Sequence, residues 1–334
     1  MRPRFYPRLI NGLFDDPGLY IPFLFENRAI LFDLGDTLPL SARDLLKISH
    51  VFVTHTHVDH FIGFDRVLRI LLGREKQLHL YGPAGFLKNV EGKLAAYSWN
   101  LVKNYPYRLG LYLTEVHLDY LLTQEYLCQN EFVPTGRAVR KSYQQVLFEE
   151  PTFKVSASVL DHGIPCLGFA IKESFHVNIN KDRLAALGLE TGSWLTDFKQ
   201  ALFANMDPES EFEVKSGKGK SRRFRLGQLA EQIALISPGQ KISYIADVAY
   251  SSQNQEKIIL LAKNSDHLFI EAAFLERHKN IAAQKHHLTA RQAGTLAARS
   301  GVKQFTIFHF SPRYTDQAYL LQEEARAAYE MEMS

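Results

Sequence analysis

The chain has only two cysteines among its 334 residues, Cys128 and Cys166, which is too few for a disulfide framework and typical of a reducing compartment. It also lacks any run of about 20 apolar residues, the length needed to cross a bilayer. The segment Met1–Phe5 contains no apolar core of the kind found in a secretory signal. We therefore expect a cytoplasmic protein with no membrane segment.

A strong charge of either sign is missing as well. Lysine and arginine number 39 against 36 acidic residues, so the net charge of +3 does not by itself indicate a nucleic-acid partner. The length suits one large domain or two small ones. Apolar runs that alternate with helical spacing predict packed β-sheets with helices outside them, and residues 84–130 are expected to mix helix and turn.

Metal-binding chemistry is concentrated in residues 55–60, which read His-Thr-His-Val-Asp-His after a short apolar run. Alternate residues of a strand point to the same side, so His55 and His57 can aim at one point beyond the strand end. Asp59 and His60 can face a second point at the following turn. This mixture of ligands suits borderline metals such as zinc. A surface cluster is the alternative, but such closely spaced titratable groups would repel or desolvate one another without a metal.

Four later apolar strands also end on a histidine or an acid, at His162, Asp247, Glu271 and His309. A single strand-end histidine is more often structural, yet catalytic groups usually lie in loops at the ends of a rigid sheet. The whole set suits two metal ions about 3.5–4 Å apart, which can clamp the attacking and leaving oxygens of a phosphodiester. One ion would take His55, His57 and His162, the second would take Asp59, His60 and His309, and Asp247 would bridge them.

The pattern at 55–60 resembles the His-x-His-x-Asp-His signature of the metallo-β-lactamase superfamily. Other segments resemble its ribonuclease Z branch, the tRNA 3′-processing endonucleases: Leu72–Arg74, Tyr81–Pro83, Asp161–Gly163, Gly168–Phe169 and His309–Tyr314. The resemblance implies an α/β fold, the αββα four-layer sandwich, with the metal site at one edge. It implies a single domain over residues 1–334, with an inserted arm or loop at 175–240.

The resemblance also implies roles for residues outside the cluster. In that family a histidine in a His-Ser-Thr loop contacts the scissile phosphate or protonates the leaving 3′ oxygen, and a glutamate orients it. His287 occupies that loop here and Glu271 is its implied partner, so with Asp59 they form the predicted catalytic set. Histidine can donate a proton near neutral pH, and a carboxylate partner raises its basicity. On residue type alone, His287 would be interpreted as a surface residue.

The segments expected to bind the substrate depart from the family pattern. The Phe-Leu-Gly-Thr-Gly opening is absent, and the arm offers Gly192-Ser193-Trp194 in place of Gly-Pro. A basic stretch from Lys215 to Arg225 is either a solvated loop or an electrostatic grip on RNA phosphates. Arg313 either meets phosphate charge or is structural. The predicted substrate-binding residues are therefore Arg313, Lys218, Lys220, Arg222 and Arg223.

Together these features predict a zinc-dependent phosphodiester hydrolase that acts on RNA, with precursor tRNA as the expected substrate. Two Zn²⁺ ions per chain are expected, with Mn²⁺ or Fe²⁺ as alternatives. Two other interpretations stay open. One is a hydrolase of the same fold that acts on a small phosphodiester, lactone or thioester, and the other is a non-catalytic, metal-stabilised binding protein. A homodimer is implied by the resemblance alone.

Overall fold

The computed structural model describes residues 4–24, 26–215 and 221–334, apart from the side chain of Lys215. These residues form two compact units. The larger unit contains Phe5–Leu147, Val155–Ile171 and Lys241–Ser334, and the smaller includes Phe148–Lys154 and Lys172–Gln240. The insertion predicted at 175–240 falls within the smaller unit.

A first sheet of eight strands, arranged in chain order, forms one layer of the larger unit. Its strands are β1 (Arg8–Leu9), β2 (Leu19–Pro22), β3 (Ala29–Phe32), β4 (Ile48–Phe52), β5 (Lys76–Pro83), β6 (Leu109–Val116), β7 (Tyr120–Leu127) and β8 (Pro134–Ser142). Strands β3 to β6 are parallel, and the outer neighbours pair antiparallel. Every residue of β3 is buried, as expected for a parallel strand covered on both faces.

Ten further strands follow along the chain. They are β9 (Val146–Glu150), β10 (Phe153–Asp161), β11 (Pro165–Glu173), β12 (Phe175–Ile179), β13 (Glu211–Lys215), β14 (Ser221–Arg225), β15 (Ala234–Pro238), β16 (Lys241–Ile245), β17 (His267–Glu271) and β18 (Phe305–Phe308). The second sheet has the order β18-β17-β16-β11-β10-β9, while β12 pairs with β15 and β13 with β14. Strands β16, β17 and β18 are parallel, so their carboxyl ends share one edge.

Helices lie between the strands and after the last strand. They are α1 (Ala42–Lys47), α2 (Val58–Phe61), α3 (Phe64–Leu71), α4 (Phe86–Ala95), α5 (Lys181–Ala186), α6 (Trp194–Phe203), α7 (Leu226–Ile233), α8 (Ser252–Ala262), α9 (Lys279–Gln284), α10 (Ala290–Arg299) and α11 (Ala318–Met333). Short 3₁₀ turns lie at Val102–Asn104, Cys128–Asn130, Glu276–His278 and Pro312–Tyr314. Ser41 caps α1, and a capping box of Thr289 and Gln292 opens α10. Among the described residues, no helix is both long and apolar enough to span a bilayer.

The two sheets of the larger unit face each other across a layer of aromatic rings. Phe32 of β3 stacks on Phe169 of β11 with 5.4 Å between centroids, and it lies 5.7 Å from Tyr244 of β16. Helices α1, α3 and α4 share one apolar core with the first sheet, and α8, α10 and α11 share another with the second sheet. The order helix, sheet, sheet, helix confirms the predicted αββα sandwich.

The smaller unit has an apolar core of its own. Leu184, Trp194, Phe198, Leu226 and Leu229 of helices α5, α6 and α7 are all buried together. Of the basic stretch, Lys215 ends β13 and Ser221–Arg225 form β14; the two strands run antiparallel, and Glu211 pairs with Arg225. Lys218 and Lys220 lie outside the described residues.

The expectation of mixed helix and turn over residues 84–130 is wrong for its second half, which forms the long strands β6 and β7. Leu109, Leu111 and Leu113 alternate along β6 and face the core of the first sheet, a period-two pattern that strands require. The next strand, β8, is the exposed edge of that sheet. All its residues except Thr135 are exposed.

Candidate metal centre

Five of the predicted site residues lie where strands of the larger unit end. His55 and His57 follow β4, Asp247 follows β16, and His309 follows β18 directly. Glu271 is the last residue of β17. Since β16, β17 and β18 are parallel, their last residues meet at one edge of the second sheet. Loops at such carboxyl ends are the usual position of ligand sites in sheets of this kind.

Several of these strand-end residues adopt a left-handed backbone conformation. The φ angles are 58° at Asp33, 47° at Asp247 and 60° at His309. A residue other than glycine in this region costs about 1–3 kcal/mol, and such strain collects at functional sites whose surroundings hold it in place. Left-handed residues also occur away from this edge, for example at Glu131 and Asn205, so at Asp33, Asp247 and His309 the conformation shows only that the surrounding structure holds these residues in place.

A first group of potential ligands consists of His55, His57, His162 and Asp247, whose ligand atoms all lie within 4.8 Å of one another. The Oδ2 atom of Asp247 is 3.6 Å from His55 Nε2 and 3.4 Å from His162 Nε2. His57 is exposed, and the other three are buried. This is the set predicted for the first ion.

Asp59, His60 and His309 form a second group. Asp59 Oδ2 lies 3.6 Å from His60 Nε2 and 3.3 Å from His309 Nε2. Asp247 faces this group too, with Oδ2 3.4 Å from His60 Nε2 and Oδ1 2.7 Å from His309 Nδ1. The structure thus brings all the predicted ligands together and puts Asp247 between the two groups. Their role as ligands stays a prediction.

The hydrogen bonds around the histidines suit metal binding. His60 Nδ1 donates to Asp33 at 2.9 Å, and His162 Nδ1 donates to the carbonyl oxygen of His286 at 2.9 Å. Each bond leaves the Nε2 lone pair directed to the cluster. The Nε2 atoms of His55 and His60 are buried and make no hydrogen bond within the described residues. Buried polar atoms in native proteins normally have a partner, so these residues fit metal binding.

Asp33 was missed as a site residue in the sequence. Its fully buried carboxylate accepts hydrogen bonds from Thr54 N at 2.7 Å, from Thr54 Oγ1 at 2.9 Å and from Tyr244 OH at 3.0 Å, in addition to His60. The available signal was an acid at the end of the apolar run Ala29–Phe32. Asp33 fixes the orientation of His60 without reaching the ligand cluster itself.

The charges of the cluster are strongly coupled. Burial raises the pKa of Asp247, but His309 and His60 outweigh burial and hold it well below the usual range. Burial opposes the charge of His309, yet Asp247 raises its pKa to about 10. Burial disfavours the charged form of Asp59, but the hydrogen bond from His309 outweighs burial and lowers the pKa of Asp59 to about 2. Metal ions would replace these protons, so binding should release them.

Glu271 and His287 form the pair that the resemblance implies. His287 Nδ1 lies 2.9 Å from Glu271 Oε2, and the fully buried Glu271 also accepts a hydrogen bond from Val248 N at 2.7 Å. Burial opposes the charged form of His287, but Glu271 raises its pKa above the usual value. The Nδ1 atom of His287 is also 3.8 Å from Asp247 Oδ1. The pair is therefore in contact with the ligand cluster.

A pocket of about 260 Å³ opens beside this pair. Its walls are formed by Phe14, Asp15, Asp16, Asp59, Ala273, Phe274, Lys285, His287, His309, Phe310, Ser311 and Pro312. Arg313 is exposed and does not line this pocket, so its contact with substrate stays a prediction. Lys285 does line it and was missed, although it is only two residues from His287.

Two of the predicted substrate-binding arginines, Arg222 and Arg223, make contacts within the smaller unit. Arg222 donates to the carbonyl oxygen of Leu187 at 2.6 Å and lies 4.9 Å from the centroid of Phe224. Arg223 pairs with Glu211 at 3.3 Å. Arg223 and Glu211 are both exposed, so the ion pair between them contributes little to stability.

Comparisons with known proteins agree with this arrangement. No family model matches the chain. Its sequence is similar to ribonuclease Z of Deinococcus radiodurans, with 28% identity over 90% of this chain and 86% of the relative. It is also similar to ribonuclease Z of Halalkalibacterium halodurans, with 29% identity over 90% of this chain and 83% of the relative.

A solved structure shows the same fold. The metallo-β-lactamase fold protein YhfI from Bacillus subtilis matches with a TM-score of 0.53 and 15% identity, over 97% of this chain and 92% of that chain. The structural match establishes the fold, and the sequence matches cover nine-tenths of the chain and indicate a hydrolytic enzyme. The predicted resemblance to the metallo-β-lactamase superfamily and its ribonuclease Z branch is therefore confirmed.

Proposed function

We propose that the chain is a zinc-dependent phosphodiester hydrolase, a ribonuclease Z-like endonuclease that processes the 3′ end of precursor tRNA. The observation that carries the proposal is the 2.9 Å pair of His287 and Glu271 in contact with the ligand cluster. An ester hydrolase in general needs activated water, but a leaving 3′ oxygen also needs a proton donor. The ribonuclease Z relatives support RNA as the substrate.

The metal part of the proposal concerns two zinc ions, with Mn²⁺ or Fe²⁺ as alternatives. His55, His57 and His162 would hold one ion, Asp59, His60 and His309 would hold the other, and Asp247 would bridge them. When bound, such ions stabilise negative charge on a phosphoryl group and lower the pKa of water towards neutrality. The buried Nε2 atoms of His55 and His60 support this assignment.

The chain itself supplies the proton for the leaving group. Glu271 holds the Nδ1–H of His287, which leaves Nε2–H free to reach the pocket. The oxygen of a water molecule bonds to phosphorus and its proton passes to solvent; the bond from phosphorus to the 3′ oxygen breaks, and that oxygen takes the Nε2 proton. The neutral imidazole then regains a proton from solvent. The raised pKa of His287 keeps the donor form populated near neutral pH.

RNA contacts, a homodimeric state and a cytoplasmic location complete the proposed function. Arg222, Arg223, Lys218 and Lys220 of the smaller unit would contact RNA phosphates. Neutralising them together should lower RNA affinity and its dependence on salt. A homodimer stays a prediction that light scattering can check. A cytoplasmic location is supported by two free, buried cysteines.

Cleavage of precursor tRNA, measured with metal content, tests the proposal. His287→Ala should lower turnover by about 10²–10⁴-fold, the usual contribution of a general acid, while zinc content stays unchanged. Glu271→Gln should lower turnover and move the alkaline limb of the pH profile to lower pH, because the pKa of the proton donor His287 then falls. The matched control is His286→Asn, because His286 is an exposed neighbour with φ of 57° and asparagine tolerates that conformation.

The same assay distinguishes the alternatives. A zinc-loaded protein that hydrolyses a lactone or thioester but neither precursor tRNA nor bis-p-nitrophenyl phosphate would be the small-ester hydrolase. Two bound zinc ions with no turnover of any ester would favour the binding protein. Full tRNA cleavage by His287→Ala would contradict the proton-donor role.

A further inference from the structure

Acidic residues outnumber lysines and arginines among those that line the pocket beside His287. Asp15, Asp16 and Asp59 contribute three carboxylates, whereas Lys285 is the one lysine or arginine among the described residues that line it. The carboxylates are anchored, since Asp15 accepts a hydrogen bond from Gly12 N and Asp16 accepts one from Asp36 N. Without Lys285, the part of the wall outside the metal ligands would therefore repel an anionic substrate.

The backbone holds Lys285 in a defined place. Helix α9 ends at Gln284, and the Lys285 amide still donates to the carbonyls of Ile281 and Ala282. His286 then adopts a φ of 57°, which reverses the chain so that Lys285 and His287 both line the same pocket. The turn is tied to the ligand cluster, because the carbonyl of His286 accepts the hydrogen bond of His162 Nδ1.

Aromatic side chains also line the pocket. Phe14 and Phe310 meet edge to face with 5.4 Å between centroids, and Phe274 also lines the pocket. Aromatic rings suit the base and sugar of a nucleotide, and an ammonium group suits its phosphate. A neutral lactone or thioester would have no charge for Lys285 to contact. The wall therefore matches a nucleotide chain better than a neutral ester.

We propose that Lys285 is a specificity-determining residue that donates a hydrogen bond to a non-bridging oxygen of the phosphodiester held beside His287. The contact compensates for the negative charge of Asp15 and Asp16 and selects a phosphodiester over neutral esters. This inference rests on the proposed function, because it assigns a partner to the phosphate whose cleavage that function requires.

The experiment compares Lys285→Ala with two matched variants. Lys285→Arg keeps the charge at the pocket, and Lys279→Ala removes the exposed lysine that begins helix α9 and does not line the pocket. Each zinc-loaded protein is assayed for kcat and KM on precursor tRNA, bis-p-nitrophenyl phosphate and p-nitrophenyl acetate. Binding of an uncleavable phosphorothioate RNA is measured over a series of salt concentrations.

Loss of one hydrogen bond to a charged group should lower kcat/KM of Lys285→Ala about 10- to 100-fold on both phosphodiesters. The salt dependence of RNA binding should decrease by about one phosphate contact. Turnover of the neutral ester should not change. Lys285→Arg should recover most of the loss, and Lys279→Ala should behave as the wild type.

Failure of this inference can be told apart from failure of the proposed function. If wild type does not cleave either phosphodiester, the proposed function is wrong. If wild type cleaves both and Lys285→Ala does so equally well, with the same salt dependence, the assignment of Lys285 is overturned. An equal loss in Lys285→Ala and Lys279→Ala would overturn it too, because the effect would then be general surface charge.

Discussion

Replacing Asp33 with asparagine should weaken metal binding while leaving the fold intact. The buried carboxylate receives four hydrogen bonds, from His60 Nδ1, from the Thr54 amide and hydroxyl, and from Tyr244 OH. Asparagine has the same shape and tolerates the left-handed backbone at this position. The substitution therefore changes the charge and the donor pattern with little steric effect.

The magnitude follows from the contact with His60. An asparagine NH₂ group that faces His60 would oppose its Nδ1–H, so the proton would have to move to Nε2, the atom directed to the ligand cluster. Loss of such a supporting contact typically lowers metal affinity about 10- to 100-fold. Loss of hydrogen bonds to a charged, buried group should also lower the free energy of unfolding by about 1.5–3 kcal/mol.

Zinc competition with a chromophoric chelator measures the first effect, and urea unfolding measures the second. The loss should concern the ion of the group Asp59, His60 and His309, so the variant should keep one tight site. Tyr244→Phe is the control, because it removes one donor to Asp33 but leaves the carboxylate on His60. Two sites of wild-type affinity in Asp33→Asn would refute the reasoning.

Three further predictions concern packing, pH and metal. Gly294→Ala would put a Cβ 2.0 Å from the backbone oxygen of Ala325, so we expect urea unfolding to show a loss of about 1–3 kcal/mol. Gly92→Ala, with open space around its Cβ, should instead gain about 0.5–1 kcal/mol. Burial lowers the pKa of His267 to about 4, so the neutral form is favoured in the folded state. Its stabilisation is complete above pH 6.5 and is lost as the pH falls towards 4, and His267→Gln should flatten that part of the stability profile. Zinc at 100 times its dissociation constant should raise the free energy of unfolding by about 2.7 kcal/mol per site. An unfolding temperature that calorimetry finds unchanged by zinc would contradict the metal centre.

Residue type and local periodicity predict much of the site. A short apolar run followed by His55 and His57 predicts a strand that presents ligands at its end, and β4 ends just before them. Short apolar runs before Asp247 and His309 likewise predict strands with a ligand at their end, and the structure contains both strands. These features are local, because burial of a few apolar residues and the polarity of the next one are visible within about ten positions.

Other features depend on contacts between distant residues. The role of Asp33 depends on its contacts with His60 and Tyr244, and Tyr244 is 211 positions from Asp33 in the sequence. The left-handed conformations at Asp247 and His309 have no local sequence signal, because the surrounding structure imposes them. Lys285 was missed because a helix end and the turn at His286 direct it to the pocket, which hydrophobic periodicity does not reveal.

The edges of the first sheet have a consequence for how the protein behaves at high concentration. Strand β8 is an exposed edge that carries Arg137, Arg140 and Lys141 and no acidic residue, and Arg140 lies 3.6 Å from the ring centroid of Tyr120. If two copies joined through β8, like charges would oppose each other across the new pair. The other edge, β1, has only two residues. The same sheet that carries the first predicted metal ligands is thus protected against extension into aggregates, by charge at one edge and by shortness at the other.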